Sequence, residues 1–180
     1  SLQRKYSDII ENRNETRDNL SAEMTLYALA NKYSGKPATA DSGIQFINLL
    51  IDSICLNHKD YRIVDGSGVS HYNNVSSELL VNVLKYFYDK QPGLYELLYN
   101  SFPVAGIDGT LENRMRKTAA ANNVHAKTGT LTGVSCISGY LTNKKNNTIA
   151  FSIMMQNYVG SSSKVKEFQD EICRILAESY

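Results

Sequence analysis

Lys127-Thr128-Gly129-Thr130 places a cation, two hydroxyls and a glycine on one short stretch that reads as a β-strand, followed two residues later by a glycine turn. Glycine inside a strand weakens it, and one reason to keep it is the close approach of a ligand or another backbone. An edge strand of this kind can take an extended peptide by main-chain pairing. Lys127 would supply positive charge, the hydroxyls of Thr128 and Thr130 would hold a carboxylate, and the Thr130 N–H would point at an acyl oxygen. On these four residues alone the plainer reading is a surface turn with a solvated lysine.

Other candidates read as structure. Ser161-Ser162-Ser163-Lys164 has a serine–lysine spacing, but it sits in a turn and reads as a Ser-rich helix cap. Asp65-Gly66-Ser67-Gly68 and Asp108-Gly109 look like turns, with their acids bonded to local backbone or to Arg114. His58, His71 and His125 lack metal-ligand spacing, so neither metal nor cofactor is expected. Cys55, Cys136 and Cys173 are an odd set without a close pair and read as ordinary buried thiols.

These residues need a scaffold. The chain has 180 residues, enough for one domain with a sizeable core. Lys plus Arg is 19 and Asp plus Glu is 18, a balance that argues against a nucleic-acid grip. No apolar run approaches the ~18 residues of a membrane span. Apolar spacing of three and four predicts helices over Arg17–Tyr33, with Leu20, Met24, Tyr27, Ala28 and Ala30 inward, from near Thr39–Ser42 through Cys55, and over Glu78–Tyr88 with Ser76 or Ser77 as its cap. Shorter helices are expected through Tyr95–Tyr99 and from Leu111 to about Lys117. The period then changes. Val124–Thr130, Val134–Thr142 and Thr148–Asn157 read as consecutive antiparallel strands joined by hairpin-length turns. Ser162–Glu178 reads as a closing helix that covers the sheet through Phe168, Ile172 and Ile175.

Four separated segments carry a further likeness. In order they are Asp18-Asn19-Leu20 with Ala22-Glu23, Val64-Asp65-Gly66-Ser67-Gly68, Asp108-Gly109-Thr110-Leu111 with Asn113-Arg114-Met115, and Lys127-Thr128-Gly129-Thr130. Together they resemble the D-alanyl-D-alanine carboxypeptidases of peptidase family S13, the penicillin-binding protein 4 type, from about Ile9 to Tyr180. The resemblance implies an α+β fold of the penicillin-binding/serine β-lactamase kind, an antiparallel sheet flanked by helices. It also implies cleavage of the terminal D-Ala of peptidoglycan stem peptides, acylation by β-lactams, and a periplasmic or envelope location. By the same resemblance Lys127, Asn19 and Thr130 are catalytic, and Thr128, Gly129 and Thr130 bind substrate.

Two departures matter. The family's second motif begins with serine, where this chain has Arg17. Arginine carries no hydroxyl and does not release its proton in a protein, so it cannot relay one; Thr16 is the neighbouring hydroxyl. The family's Ser-x-x-Lys pair, a nucleophile with its base, does not precede Asn19 within these residues. Tyr72-Asn73-Asn74 matches a Tyr-x-Asn variant in form only and falls in a loop. The expectation is that residues 1–180 are the C-terminal part of such a domain, with an N-terminal segment of the same protein as partner. The sheet is then incomplete, and Thr148–Asn157 is an edge open to self-association. The alternative is a catalytically inactive peptide-binding module.

Overall fold

The computed structural model describes residues 19–34 and 38–180. Helix α1, Asn19–Ser34, packs against α2, Ala40–Ser53. Thr39 starts α2 with a capping box: its hydroxyl accepts from the Ser42 N–H, and the Ser42 hydroxyl accepts from the Thr39 N–H. The inner face of α1 differs from the expectation. Ala22, Leu26 and Ala30 are buried, while Leu20 and Met24 are 71% and 57% exposed. The helices approach too closely for the longer stripe, since a Cβ on Gly43 would lie 2.7 Å from the Leu26 carbonyl oxygen.

A long excursion follows α2. It contains a 3-10 turn, His58–Asp60, and closes on itself through an antiparallel bridge between Arg62 and Asn74. Helix α3, Ser77–Lys90, is capped by Ser76, whose hydroxyl accepts from the Leu79 N–H at 3.1 Å. Helix α4, Pro92–Ser101, is longer than expected because Pro92 opens it. Proline suits that first turn, where its missing N–H costs nothing. The helix expected from Leu111 is reduced to a 3-10 turn, Gly109–Leu111. Met115 and Lys117 take positive φ and break the helical run there.

The sheet is antiparallel in the order β1-β2-β3, built from β1 (His125–Leu131), β2 (Val134–Thr142) and β3 (Thr148–Gln156). These are the three expected strands, with Val124 and Asn157 outside them; Asn157 turns away at φ 60°. Thr132 and Gly133 form the two-residue turn between Leu131 and its partner Val134. One face buries Ala126, Ile137, Leu141 and Phe151 against α5, Ser163–Glu178. The other packs Tyr140 against Leu84 and Phe102, and the Tyr140 hydroxyl donates to the Leu84 carbonyl at 2.8 Å.

Helix α5 sits over β2, as its amphipathic pattern requires, but through a neighbouring stripe. Gln169, Cys173 and Ala177 are buried, whereas Phe168 and Ile175 are 55% and 53% exposed. The expected contact through Phe168 and Ile175 is therefore corrected by about one residue's rotation. Of the three thiols only Cys173 is fully buried, and burial, with Asp170 nearby, pushes it up to about 12. Cys55 is exposed, contrary to expectation. Among the described residues β3 pairs only with β2, so its outer side is an edge. Residues 1–18 lie outside the described part. Among the described residues no helix is long and apolar enough to cross a membrane.

Candidate active site

Strand β1 presents Lys127-Thr128-Gly129-Thr130 along an open side. The Ala126 N–H donates to the Pro103 carbonyl at 3.0 Å, on the side of β1 away from β2. Backbone N–H groups along a strand alternate in direction, so those of Thr128 and Thr130 share that outer side. Side chains alternate between faces in the same way. Lys127 and Gly129 face the helical half, while Thr128 is buried behind the strand and its hydroxyl donates to Thr110 Oγ1 at 2.9 Å. Lys127 Nζ donates to the Thr128 carbonyl at 2.8 Å. A Cβ on Gly129 would meet nothing within 4 Å, so the missing side chain leaves room in front of the strand.

The opposite wall is built by α1 and the loop after α2. Asn19 is the first residue of α1, and Glu23 lies one turn further on. Glu23 Oε2 accepts from the Gly66 N–H at 2.8 Å and the Ser67 N–H at 3.1 Å. This fastens the loop to the helix so closely that a Cβ on Gly66 would lie 2.9 Å from the Ala22 carbonyl oxygen. Asp65 folds the loop from within, accepting from Gly68 N–H, Ser70 N–H and Asn73 Nδ2 at 2.5, 2.8 and 3.1 Å. Partial burial pushes the Asp65 carboxyl up, but these bonds outweigh it and hold the group below the ordinary aspartate value. The local backbone role expected for Asp65 is the one observed. Asp108 likewise accepts from the Val104 N–H at 2.7 Å. Arg114 bonds neither acid; it pairs with Asp170 at 2.6 Å.

Between the walls runs a cleft with two adjoining cavities of about 500 and 250 Å³. Asn19, Ser67, Gly68, Lys127, Thr128 and Gly129 border both. The larger continues between Ile63, Val75 and Leu80, and the smaller between Val69, Leu131 and Val134. All five residues expected at the site therefore border this cleft, with Thr130 lining the smaller cavity, but the Thr128 hydroxyl expected to hold a carboxylate is instead turned to Thr110 behind the strand. Arg17 and Thr16 lie outside the described residues.

Of the decoys, Ser161–Lys164 stay away from the cleft, while Asn73 borders its larger cavity. Ser162 makes no side-chain cap bond to α5; Ser161 instead accepts from the Ser163 N–H. Asn73 serves the loop, accepting from the Val64 N–H at 2.8 Å. Among the described residues no group of His, Cys, Asp or Glu could hold a metal ion. Sequence reasoning missed the fastening role of Glu23 and the cleft position of Ser67. The signal was present in the paired occurrence of Ala22-Glu23 and the Asp65-Gly66-Ser67-Gly68 turn, but only the fold puts them in contact.

Known proteins share this arrangement. The model of the D-Ala-D-Ala carboxypeptidase 3 (S13) family matches residues 4–179. The chain is 29% identical over 159 residues to the D-alanyl-D-alanine carboxypeptidase DacB of Haemophilus influenzae, covering 87% of this chain and 33% of that protein. It is 34% identical over 169 residues to the D-alanyl-D-alanine carboxypeptidase of an Actinomadura species, covering 89% of this chain and 30% of the relative. The crystal structure of penicillin-binding protein 4 (DacB) from Haemophilus influenzae superposes with a TM-score of 0.88 at 26% identity, covering 96% of this chain and 40% of that one. That protein has also been solved with a bound β-lactam, and this form matches with a TM-score of 0.87. The chain thus spans about a third of the length of the curated relatives it matches. With the family model matching nearly end to end, and three of the four motifs bordering one cleft while the third in order packs behind it, the chain belongs to the D-Ala-D-Ala carboxypeptidase S13 family.

Proposed function

We propose that this chain supplies one wall and the substrate-binding strand of a serine-type D-Ala-D-Ala carboxypeptidase acting on peptidoglycan stem peptides in the cell envelope, periplasmic where there is an outer membrane. The observation that carries the reading is the open side of β1, where Lys127, Gly129 and the outward N–H of Thr130 face Asn19 across the cleft. In this reading a stem peptide lies along β1. The Thr130 N–H donates to the carbonyl oxygen as negative charge develops on it, which is where a fixed donor lowers the barrier most. Lys127 contributes positive charge for the peptide's terminal carboxylate and Asn19 holds its amide. Thr128 and Gly129 shape the strand at that point. The nucleophilic serine and its lysine base come from a Ser-x-x-Lys pair outside these 180 residues, on an N-terminal segment that is this chain's partner in the site. A β-lactam would enter by the same route and acylate that serine.

Intact-mass spectrometry after incubation with a β-lactam tests this. The 180-residue chain alone is expected to gain no adduct, because a serine hydroxyl without a neighbouring base is a poor nucleophile. The natural-length protein is expected to gain one adduct, on a serine outside this chain, and to lose it in Lys127→Ala. Folded natural-length protein that binds stem peptide but never acylates would overturn the enzyme reading in favour of an inactive peptide-binding module. An adduct mapped to a serine of this chain would overturn the placement of the nucleophile.

A further inference from the structure

Behind β1, on the face away from the cleft, the core is polar where its stability does not require it. Towards one end this face is apolar, with Ala126, Ile137, Leu141 and Phe151. Towards the other end, directly behind the cleft-facing residues, it carries Thr128 on Thr110 and Ser135 on Gln169. Gln169 is fully buried, and its Nε2 donates to the Ser135 carbonyl at 3.0 Å and to Ser135 Oγ at 3.3 Å. Its Oε1 accepts from Arg114 Nη2 at 3.2 Å, and Arg114 is itself held by Asp170. Ser135 stands directly opposite Thr130 in the β1–β2 register.

Burying such groups is costly, and a well-packed apolar set of similar volume is commonly as stable. What hydrogen bonds add is direction: a fully satisfied buried network fixes one arrangement of the backbone it holds. Here two sets of such bonds meet the strand pair, Thr110 at Thr128 and Gln169 at Ser135, the position opposite Thr130. Between them lies Gly129, the most permissive residue of the strand.

We propose that Thr110 and Gln169 are positioning residues that hold the Thr128–Thr130 segment from behind, so that the outward Thr130 N–H keeps a fixed aim into the cleft. The role rests on the carboxypeptidase reading above for its chemistry, but the rigidity it predicts stands apart from that reading. Thr110 acts through the Thr128 hydroxyl. Gln169 acts through Ser135, with Arg114 orienting its amide.

The test uses the natural-length protein and the variants Thr110→Val, Thr110→Ser and Gln169→Met. Acylation by a chromogenic cephalosporin is resolved into the non-covalent dissociation constant and the acylation rate constant. Thr110→Val and Gln169→Met are expected to lower the rate constant about tenfold while changing the dissociation constant less than about threefold, an interaction realised mainly in the transition state. Thr110→Ser keeps the hydroxyl and is expected to restore the rate. In parallel, backbone 15N order parameters at Gly129 and Thr130 are expected to fall from about 0.85 towards 0.6 in the two apolar variants, with Ile137 unchanged. Unchanged rate constants and order parameters in folded variants overturn the proposal, as does a uniform loosening of the whole sheet. If the unsubstituted protein is not acylated, the carboxypeptidase reading fails. The order parameters then decide the positioning role by themselves.

Discussion

His125 shows how one residue joins the core to the site strand. It opens β1 two positions before Lys127, stacks on Tyr99 with ring centroids 4.0 Å apart, and leaves Nδ1 buried with no hydrogen-bond partner. Burial pulls its pKa below the ordinary histidine value, against smaller upward pulls from a Tyr99 backbone bond and from Asp108. The folded state therefore binds this proton less readily than the unfolded chain. Below about pH 6.5 the unfolded state takes it up first, so stability falls as pH falls through that value towards the lower folded one. Thermal unfolding at pH 7.5 and 5.5 checks this: the midpoint is expected to drop at the lower pH, and the drop is expected to shrink in His125→Phe. An equal drop in that variant would assign the effect to other groups. The sequence showed His125 only as one of three scattered histidines, because its burial depends on Tyr99 and Tyr140 from elements distant along the chain.

At the scale of elements, much was legible and the errors have a common cause. The three strands and their two short connectors follow from the change of period and the turn residues, and they are where the spacing placed them. Helix starts at Thr39 and Ser76 were readable because capping is local chemistry. Which stripe of a helix faces inward was not, for either α1 or α5. In both, the buried set includes small or polar residues that were not expected inward, Ala22 in one and Gln169 and Ala177 in the other, because the partner surface comes very close or offers hydrogen bonds. Apolar periodicity carries no information about either. The site behaved similarly: the family motifs gave Lys127, Thr128, Gly129, Thr130 and Asn19, whereas the Glu23 fastening needs two segments 43 residues apart to meet. Close approach also sets the β1–β2 pairing. A Cβ on Gly139 would lie 2.1 Å from the His125 carbonyl oxygen and 2.6 Å from Ala126 Cα, both backbone atoms that cannot step aside alone. Gly139→Ala is expected to cost about 3 kcal/mol by forcing the strands apart, in the range of severe overpacking. Denaturant unfolding measures it, and a loss below about 1 kcal/mol would show that the sheet yields cheaply.

On the scale of the whole molecule, the uncovered surfaces lie together in sequence and point to assembly. Strand β3 has one paired side among the described residues, and Phe168 and Ile175 of α5 are turned outward. A nine-residue strand edge offers a row of N–H and C=O groups to any other strand that can reach it. Within a longer protein, a strand of the N-terminal segment proposed above would be expected to pair with this edge. For the 180-residue chain alone the available partner is a second copy, joined edge to edge through β3. A two-strand contact buries less than the ~1,000 Å² of a stable interface, so the association is expected to be weak, reversible and concentration-dependent. Sedimentation velocity over a rising concentration series should show a growing dimer fraction. Met154→Lys places a charge on the edge strand, a device that blocks such pairing, and is expected to return the chain to monomer without loss of the fold. The natural-length protein should show no β3-mediated dimer, and its Met154→Lys form should sediment as the unsubstituted protein does. A short chain that stays monomeric at the highest concentrations would count against an open β3 edge.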